Sequence, residues 1–186
     1  MNFPSKRLFK ISIIALLLSI FLLLLIFILN HKNIYIQINI SSFRLTNSFI
    51  KIVTIFTTVL SFTYIIFMKI RMKFIRVIVI IFSILFLGIT FLINLILNDA
   101  EYTSFYSPDY KQKFIARETG YTEIYQMSKT GLYMKHLVNI QTNNGYKPFY
   151  NGSYQIMSKD SNELIIKYVF DYMHPDNFTE VTIKYK

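Results

Sequence analysis

Apolar residues fill three long stretches in the first half of the chain, whereas in the second half they alternate with polar ones. Ile11 to Leu29 is interrupted only by Ser12 and Ser19; Ile52 to Met68 carries Thr, Ser and Tyr but no charge; Val77 to Leu97 has Asn94 as its one strongly polar side chain. A helix rises 1.5 Å per residue, so about 20 apolar residues cross the ~30 Å hydrocarbon core of a bilayer. The three stretches predict transmembrane helices over about residues 11–29, 50–68 and 77–97, with Phe49 and Ile50 extending the second while Lys51 snorkels to the interface.

From Asn98 onward the period falls towards two and turn residues recur at short intervals. Ser107-Pro108-Asp109-Tyr110, Ser128-Lys129-Thr130-Gly131 and Asn143-Asn144-Gly145 are turn sequences, the last a strong hairpin signal. Between and after them, residues 111–118, 121–127, 132–142, 154–157, 164–172 and 178–185 read as strands. The predicted class is membrane α plus β: a three-span domain, 1–97, followed by a small antiparallel β-meander or barrel-like domain, 98–186. Ile34, Ile36, Ile38 and Ile40 also alternate with polar residues, as in a half-buried strand. This segment either pairs with an edge of the later sheet or extends the first span along the interface.

Charge divides the chain at the same boundary. Residues 1–97 hold ten Lys or Arg and no Asp or Glu; residues 98–186 hold ten of each sign, so the net charge of +10 belongs to the first half. Because those cations flank apolar spans and form no patch on a soluble domain, they point to membrane orientation and not to nucleic acid. Lys6, Arg7 and Lys10 precede span one, and Lys69, Arg71, Lys73 and Arg76 lie between spans two and three. The positive-inside rule then places the N-terminus in the cytoplasm and residues 98–186 outside, in a multi-pass protein of the cell membrane. The first apolar run is too long for a signal-peptide core and no small-x-small cleavage site follows it, so it reads as an uncleaved anchor.

The spans contain no Asp, Glu or His, which argues against ion-coupled transport. Thr54, Thr57, Thr58 and Ser61 recur at helical spacing and predict a packing face, within the chain or between copies in a homo-oligomer; a polar pore lining is the weaker reading. Tyr102, Tyr106 and Tyr110 follow span three closely enough to meet a partner or the headgroup layer. The absence of Cys excludes thiol nucleophiles and thiolate metal sites. His31, His136 and His174 have no metal-ligand spacing, and no catalytic, metal or cofactor motif is present; His136, or His174 beside Asp171, is the only acid–base material. Asp160, Asn162 and Glu163 lack the regular spacing of a calcium loop and read as a solvated turn. Asn39-Ile40-Ser41, Asn151-Gly152-Ser153 and Asn177-Phe178-Thr179 are formal glycosylation sequons. His174-Pro175-Asp176 matches the J-domain tripeptide, but a strand-like segment follows it where that family has a helix, so it reads as a turn.

Ser107-Pro108-Asp109, the run Asn143 to Phe149 and Tyr154-Gln155-Ile156 resemble the outer domains of small membrane proteins of Gram-positive bacteria, domains of unknown function. The resemblance spans about a third of the chain and implies a cell-envelope setting without naming an activity. The expected function is a non-enzymatic, bilayer-anchored protein whose outer β domain binds a membrane protein or other envelope partner, without cofactors. Two alternatives stand beside it: an immunity protein that neutralises a toxin or bacteriocin in the membrane, and an enzyme of envelope lipid or cell wall.

Overall fold

The computed structural model describes residues 6–40, 43–97, 100–160 and 162–185. Ser41 of the first sequon, Asn98 at the expected domain boundary and Ser161 of the polar loop lie outside these residues. The chain forms two compact units. One comprises residues 1–32 and 45–97, the other residues 33–44 and 98–186. The segment after the first helix thus groups with the β unit, while residues 97 and 98 again fall on either side of a unit boundary.

The helical unit contains α1 (Lys6–His31), α2 (Asn47–Lys69) and α3 (Lys73–Leu97). Each is long and apolar enough to cross a membrane. Thr46 caps α2 by accepting a 3.3 Å hydrogen bond from the Phe49 N–H. At the other end of α2, Arg76 donates from Nε to the Ile70 carbonyl at 2.6 Å and sets its guanidinium 4.7 Å from the Phe67 ring centroid. Those two contacts hold the three-residue turn into α3. The unit is polar within and apolar without. Ser19, Asn47, Thr54 and Ser61 are buried together with Ile26, while Leu17, Phe27, Leu60, Phe82 and Ile96 are among the many large apolar side chains left exposed.

The β unit has two antiparallel sheets. The first has the order β1-β7-β6-β5-β4, built from β4 (Glu101–Tyr106), β5 (Lys113–Glu118), β6 (Thr122–Met127), β7 (Tyr133–Ile140) and β1 (Ile34–Ile36). The second has the order β10-β9-β8, from β8 (Tyr154–Asp160), β9 (Glu163–Val169) and β10 (Phe178–Lys184). β2 (Ile38–Ile40) and β3 (Phe43–Leu45) make a separate two-stranded ribbon. Of the Ile34 to Ile40 segment, therefore, the first three residues join the larger sheet, with Ile34 opposite Lys135 and Ile36 opposite Tyr133. Asn33, at φ +58, makes the left-handed corner between α1 and β1 that Asn tolerates better than most residues.

One core lies between the two sheets. Phe105, Phe114, Ala116, Ile124 and Ile140 come from the first and Leu164, Ile166, Tyr168 and Ile183 from the second. Phe149 joins them from the link and stacks on Phe105 at 5.6 Å. Each such ring, withdrawn from water, contributes about 1.5–3 kcal/mol. The expectation of one meander or barrel resolves into two meanders sharing a core, and the Asn143–Gly145 segment is where the readings part. It does turn, as a short 3-10 helix, but it does not close a two-residue hairpin. It opens the link from β7 to β8 that carries the chain from one sheet to the other. Glu118 explains why that path wins: its carboxylate is fully buried and accepts the Phe149 N–H at 2.9 Å and the Tyr150 N–H at 2.7 Å. Burial pushes this carboxyl above its ordinary pKa, opposed by those two bonds.

Candidate functional site

A meander reverses direction at each connection, so its first and third turns fall at the same end. The β4–β5 turn and the β6–β7 turn are such a pair. In the first, the Ser107 hydroxyl donates to Asp109 at 2.5 Å and the Tyr110 N–H returns to the Ser107 carbonyl at 2.8 Å, with Tyr110 itself at φ +58. The Ser107 hydroxyl first, and then the Lys111 N–H at 3.3 Å, hold the Asp109 carboxyl below its usual range. In the second, the Gly131 N–H bonds the Ser128 carbonyl at 2.9 Å, and the glycine takes φ +71.

Between these turns lie depressions with shared walls. One of about 460 Å³ is bordered by Tyr106, Lys111, Lys113, Lys129 and Gly131. A second of about 250 Å³ is bordered by Gln112, Gln126, Lys129, Tyr133 and Lys135. A third of about 360 Å³ runs from Gln126 and Lys135 to Leu137, Glu163 and Lys184. Lys129 borders the first two and Lys135 the last two, so the three adjoin as a furrow around one end of the sheet, with Lys113 on the sheet face of Ile115 and Lys135 on that of Phe114 and Gln126. Gln126 donates across it to Gln112 at 3.2 Å. Lys111 lies 3.5 Å from Asp109 and Lys184 lies 2.9 Å from Glu163. Among the described residues, Lys113, Lys129 and Lys135 have no carboxylate within ion-pair distance. The Lys113 ammonium instead stands 5.8 Å from the Tyr106 ring centroid, a contact between cation and ring face.

The tyrosines singled out from the sequence divide between two settings. Tyr102 and Tyr106 lie on one face of β4, a strand the sequence reading passed over. Tyr102 packs against the buried group Ile115, Tyr125, Met127 and Met134, whereas Tyr106 and Tyr110 are exposed with ring centroids 6.2 Å apart. In the helical unit, Thr54 and Ser61 are buried and the Thr58 hydroxyl lies 2.9 Å from that of Ser19 on α1, while Thr57 is exposed and bonds its own helix at Val53. Asn47 donates to Asn30 at 3.1 Å, and Thr63 meets Ser83 of α3 at 2.6 Å. Of the four stripe residues, Thr58 meets another helix, at Ser19, and Thr54 and Ser61 are buried; the part of Ser19 needed a partner helix to become visible.

The acid–base candidates do not converge. His136 bonds Asn139 at 2.7 Å and sits edge-on to Tyr125. His174 lies 3.4 Å from Asp171 within one exposed turn. The tripeptide His174-Pro175-Asp176 is a turn that feeds β10. Neither histidine lines the furrow, and among the described residues no three His, Asp or Glu side chains gather as metal ligands. Arg117 and Glu123 form the best-built polar group, an ion pair across β5 and β6, and Tyr125 adds a 2.7 Å hydroxyl bond to the same carboxylate. Its members hold one another, which suits a structural brace.

The lysines of the furrow escaped notice in the sequence because they are far apart along it and match no motif. Only the register of β5, β6 and β7 assembles them; the nearest sequence signal is the placement of Lys111, Lys113 and Lys129 in or beside turns that flank tyrosines. Comparison with protein-family models, curated proteins and solved structures finds no match to this chain.

Proposed function

We propose that this is a non-enzymatic, three-span protein of the cell membrane that displays its β unit on the extracytoplasmic side to bind an envelope or protein partner. The inverted burial of the helical unit carries the reading. Hydroxyl and amide groups meet inside while large apolar side chains face outward. In water that arrangement would expose far more apolar area than a soluble fold tolerates; in lipid it is the stable one. Strand pairing supports the same topology. Residues 34–36 and 133–135 share a sheet, so they lie on one side, and the two helices between them must cross an even number of times. The distribution of Lys and Arg favours that side being the outside, and the envelope setting accords with the resemblance to small Gram-positive membrane proteins.

A binding role fits the furrow, which gathers cations and hydrogen-bonding side chains but holds neither histidine. The test is a photo-crosslinking amino acid placed in living cells at Lys129, within the furrow, or at Asn177, on a distant turn. A discrete adduct at 129 and none at 177 is the expected result. Adducts at neither position, or equal smears at both, would remove the binding reading.

A further inference from the structure

We infer that β10 pairs with the β10 of a second copy, antiparallel about a two-fold axis through Thr182, so that the second sheets of two chains become one. β10 ends the order β10-β9-β8 and runs seven residues in unbroken register with β9. An uncovered edge of that length is a template for another strand. The ladder decides which groups it offers. The Tyr185 N–H donates to the Asn162 carbonyl at 2.9 Å, on the β9 side. In an antiparallel ladder, residues that turn their N–H and C=O to one neighbour alternate with residues that turn them away. Glu180, Thr182 and Lys184 therefore direct theirs to the free side, where no backbone group among the described residues takes them.

The side chains of the same three residues select the occupant. They share the exposed face of the sheet, opposite the face that buries Ile183. Pairing about Thr182 sets Glu180 opposite Lys184 on both sides of the axis, Thr182 opposite itself and, on the inner face, Val181 opposite Ile183. Opposite charges and paired threonines directly across a ladder are favourable. The match extends past the two new neighbours. Glu180 already lies 2.6 Å from Lys167, and Lys184 lies 2.9 Å from Glu163, both on β9. Across the joint the row reads Lys167, Glu180, the partner's Lys184, the partner's Glu163, with the sign alternating at every strand. Side-chain exposures of 53% for Glu180 and 82% for Lys184 leave both open to that second neighbour.

Other registers and other edges lose the match. An axis through Val181 puts Lys184 opposite Phe178, and one through Ile183 puts it opposite Thr182. An axis through Glu180 sets two carboxylates against each other. β4 has Glu101 as its one charged residue, β1 has three residues, and the register of β8 shifts between Ser158 and Asp160. Charges that guard an edge repel their own copy; those on β10 attract it.

The experiment uses the full chain in its membrane. The chain holds no Cys, so Thr182→Cys should give a disulfide-linked dimer under mild oxidation, because a directly opposed, bonded pair has its Cα atoms about 5.5 Å apart, within disulfide reach. Gln155→Cys, exposed on β8 of the same sheet, should give none. Glu180→Lys or Lys184→Glu, added singly to Thr182→Cys, should each lower the dimer yield about tenfold, since like charges then face each other twice. Co-expressed with different tags, the two variants should recover the yield as a mixed dimer, which separates lost attraction from lost fold. No dimer with Thr182→Cys, equal crosslinking at Gln155→Cys, or a mixture no better than either variant alone would overturn the inference. Thr182→Pro is an independent check, because it removes an N–H from the free edge and none from the β9 ladder. It should turn a dimer into a monomer on sedimentation in mild detergent and leave the tyrosine dichroism unchanged; a wild-type monomer, or a Thr182→Pro dimer, would count against the pairing. Asn177 adjoins β10, so a self-crosslink there carries twice the mass of the chain and is told apart from a partner adduct at Lys129.

Discussion

The Glu118 carboxylate accepts the backbone N–H of Tyr150 at 2.7 Å, joining the end of β5 to a link that lies 32 positions further along. With the Phe149 N–H on its other oxygen, it anchors the crossover between the two sheets. Glu118→Gln keeps the shape but turns one acceptor into a donor that faces an N–H. The expected loss is about 1–3 kcal/mol, the penalty of an unsatisfied buried polar group. Urea unfolding of the full chain, followed by near-ultraviolet dichroism of the tyrosines, measures it; twelve of the fourteen tyrosines lie in residues 98–186.

The same residue sets a pH dependence. Its folded pKa is raised by burial, so between the ordinary glutamate value and that raised value the folded state binds more protons than the unfolded one. Stability contributed through Glu118 is therefore greatest below the ordinary value and falls as pH rises through the window. Wild type's stability relative to Glu118→Gln should fall as pH climbs from the ordinary glutamate range. A difference that instead widens would show a depressed carboxyl and reverse the account.

In the helical unit, Ser19 and Thr58 supply a hydroxyl contact between α1 and α2 at 2.9 Å. The register agrees with Asn30–Asn47: moving eleven residues back along one helix and eleven forward along the other leads from the amide pair to the hydroxyl pair, as antiparallel packing requires. A double-mutant cycle of Ser19→Ala and Thr58→Ala should give a coupling of about 0.6 kcal/mol, the usual size for such bonds in lipid. Ser19→Leu should cost more, because a large side chain holds the two backbones apart. Unfolding in bicelles by steric trapping reads both.

Breaking the Arg117–Glu123 pair from one side leaves a charge in a largely enclosed place, with side-chain exposures of 21% and 13%. Arg117→Met should destabilise the β unit by about 1–3 kcal/mol. Replacing both partners with apolar residues of similar volume should recover much of the loss, since no orphaned charge remains. Equal damage from the single and double variants would mean that the brace acts through packing alone.

The absence of native Cys makes topology easy to read. A membrane-impermeant thiol reagent should label a Cys placed at Asn151 in intact cells and should reach one placed at Arg71 only after permeabilisation. The reverse pattern would invert the orientation argued from the basic residues.

The three helices were legible because apolar length is a local property, and most strands were legible because alternation and turn residues are local too. β4 was missed for a physical reason. Tyr102, Ser104 and Tyr106 alternate with Thr103 and Phe105 as any strand does, but they directly follow span three, where an aromatic belt explains the same tyrosines. The hairpin expected at Asn144-Gly145 failed because a distant carboxylate, Glu118, redirects the link; no window around the turn contains that information. The furrow failed for the same cause. Lys113 and Lys135 come to the same end of the sheet only because β6 pairs with both of their strands.

The pairing of Ile34 with Lys135 joins residues about a hundred positions apart, and it imposes an order on biogenesis. The ribosome delivers β1 before α2 and α3 and long before β7, so this edge strand of the larger sheet waits for its partner while two helices are inserted and three more strands of the same sheet are made. β7 then finds its edge partner already made, whereas a chain shortened to residues 98–186 would expose that edge permanently, a standing invitation to strand-to-strand aggregation. A soluble version of the β unit should therefore carry residues 33–44 grafted back beside β7 rather than begin where the last helix ends.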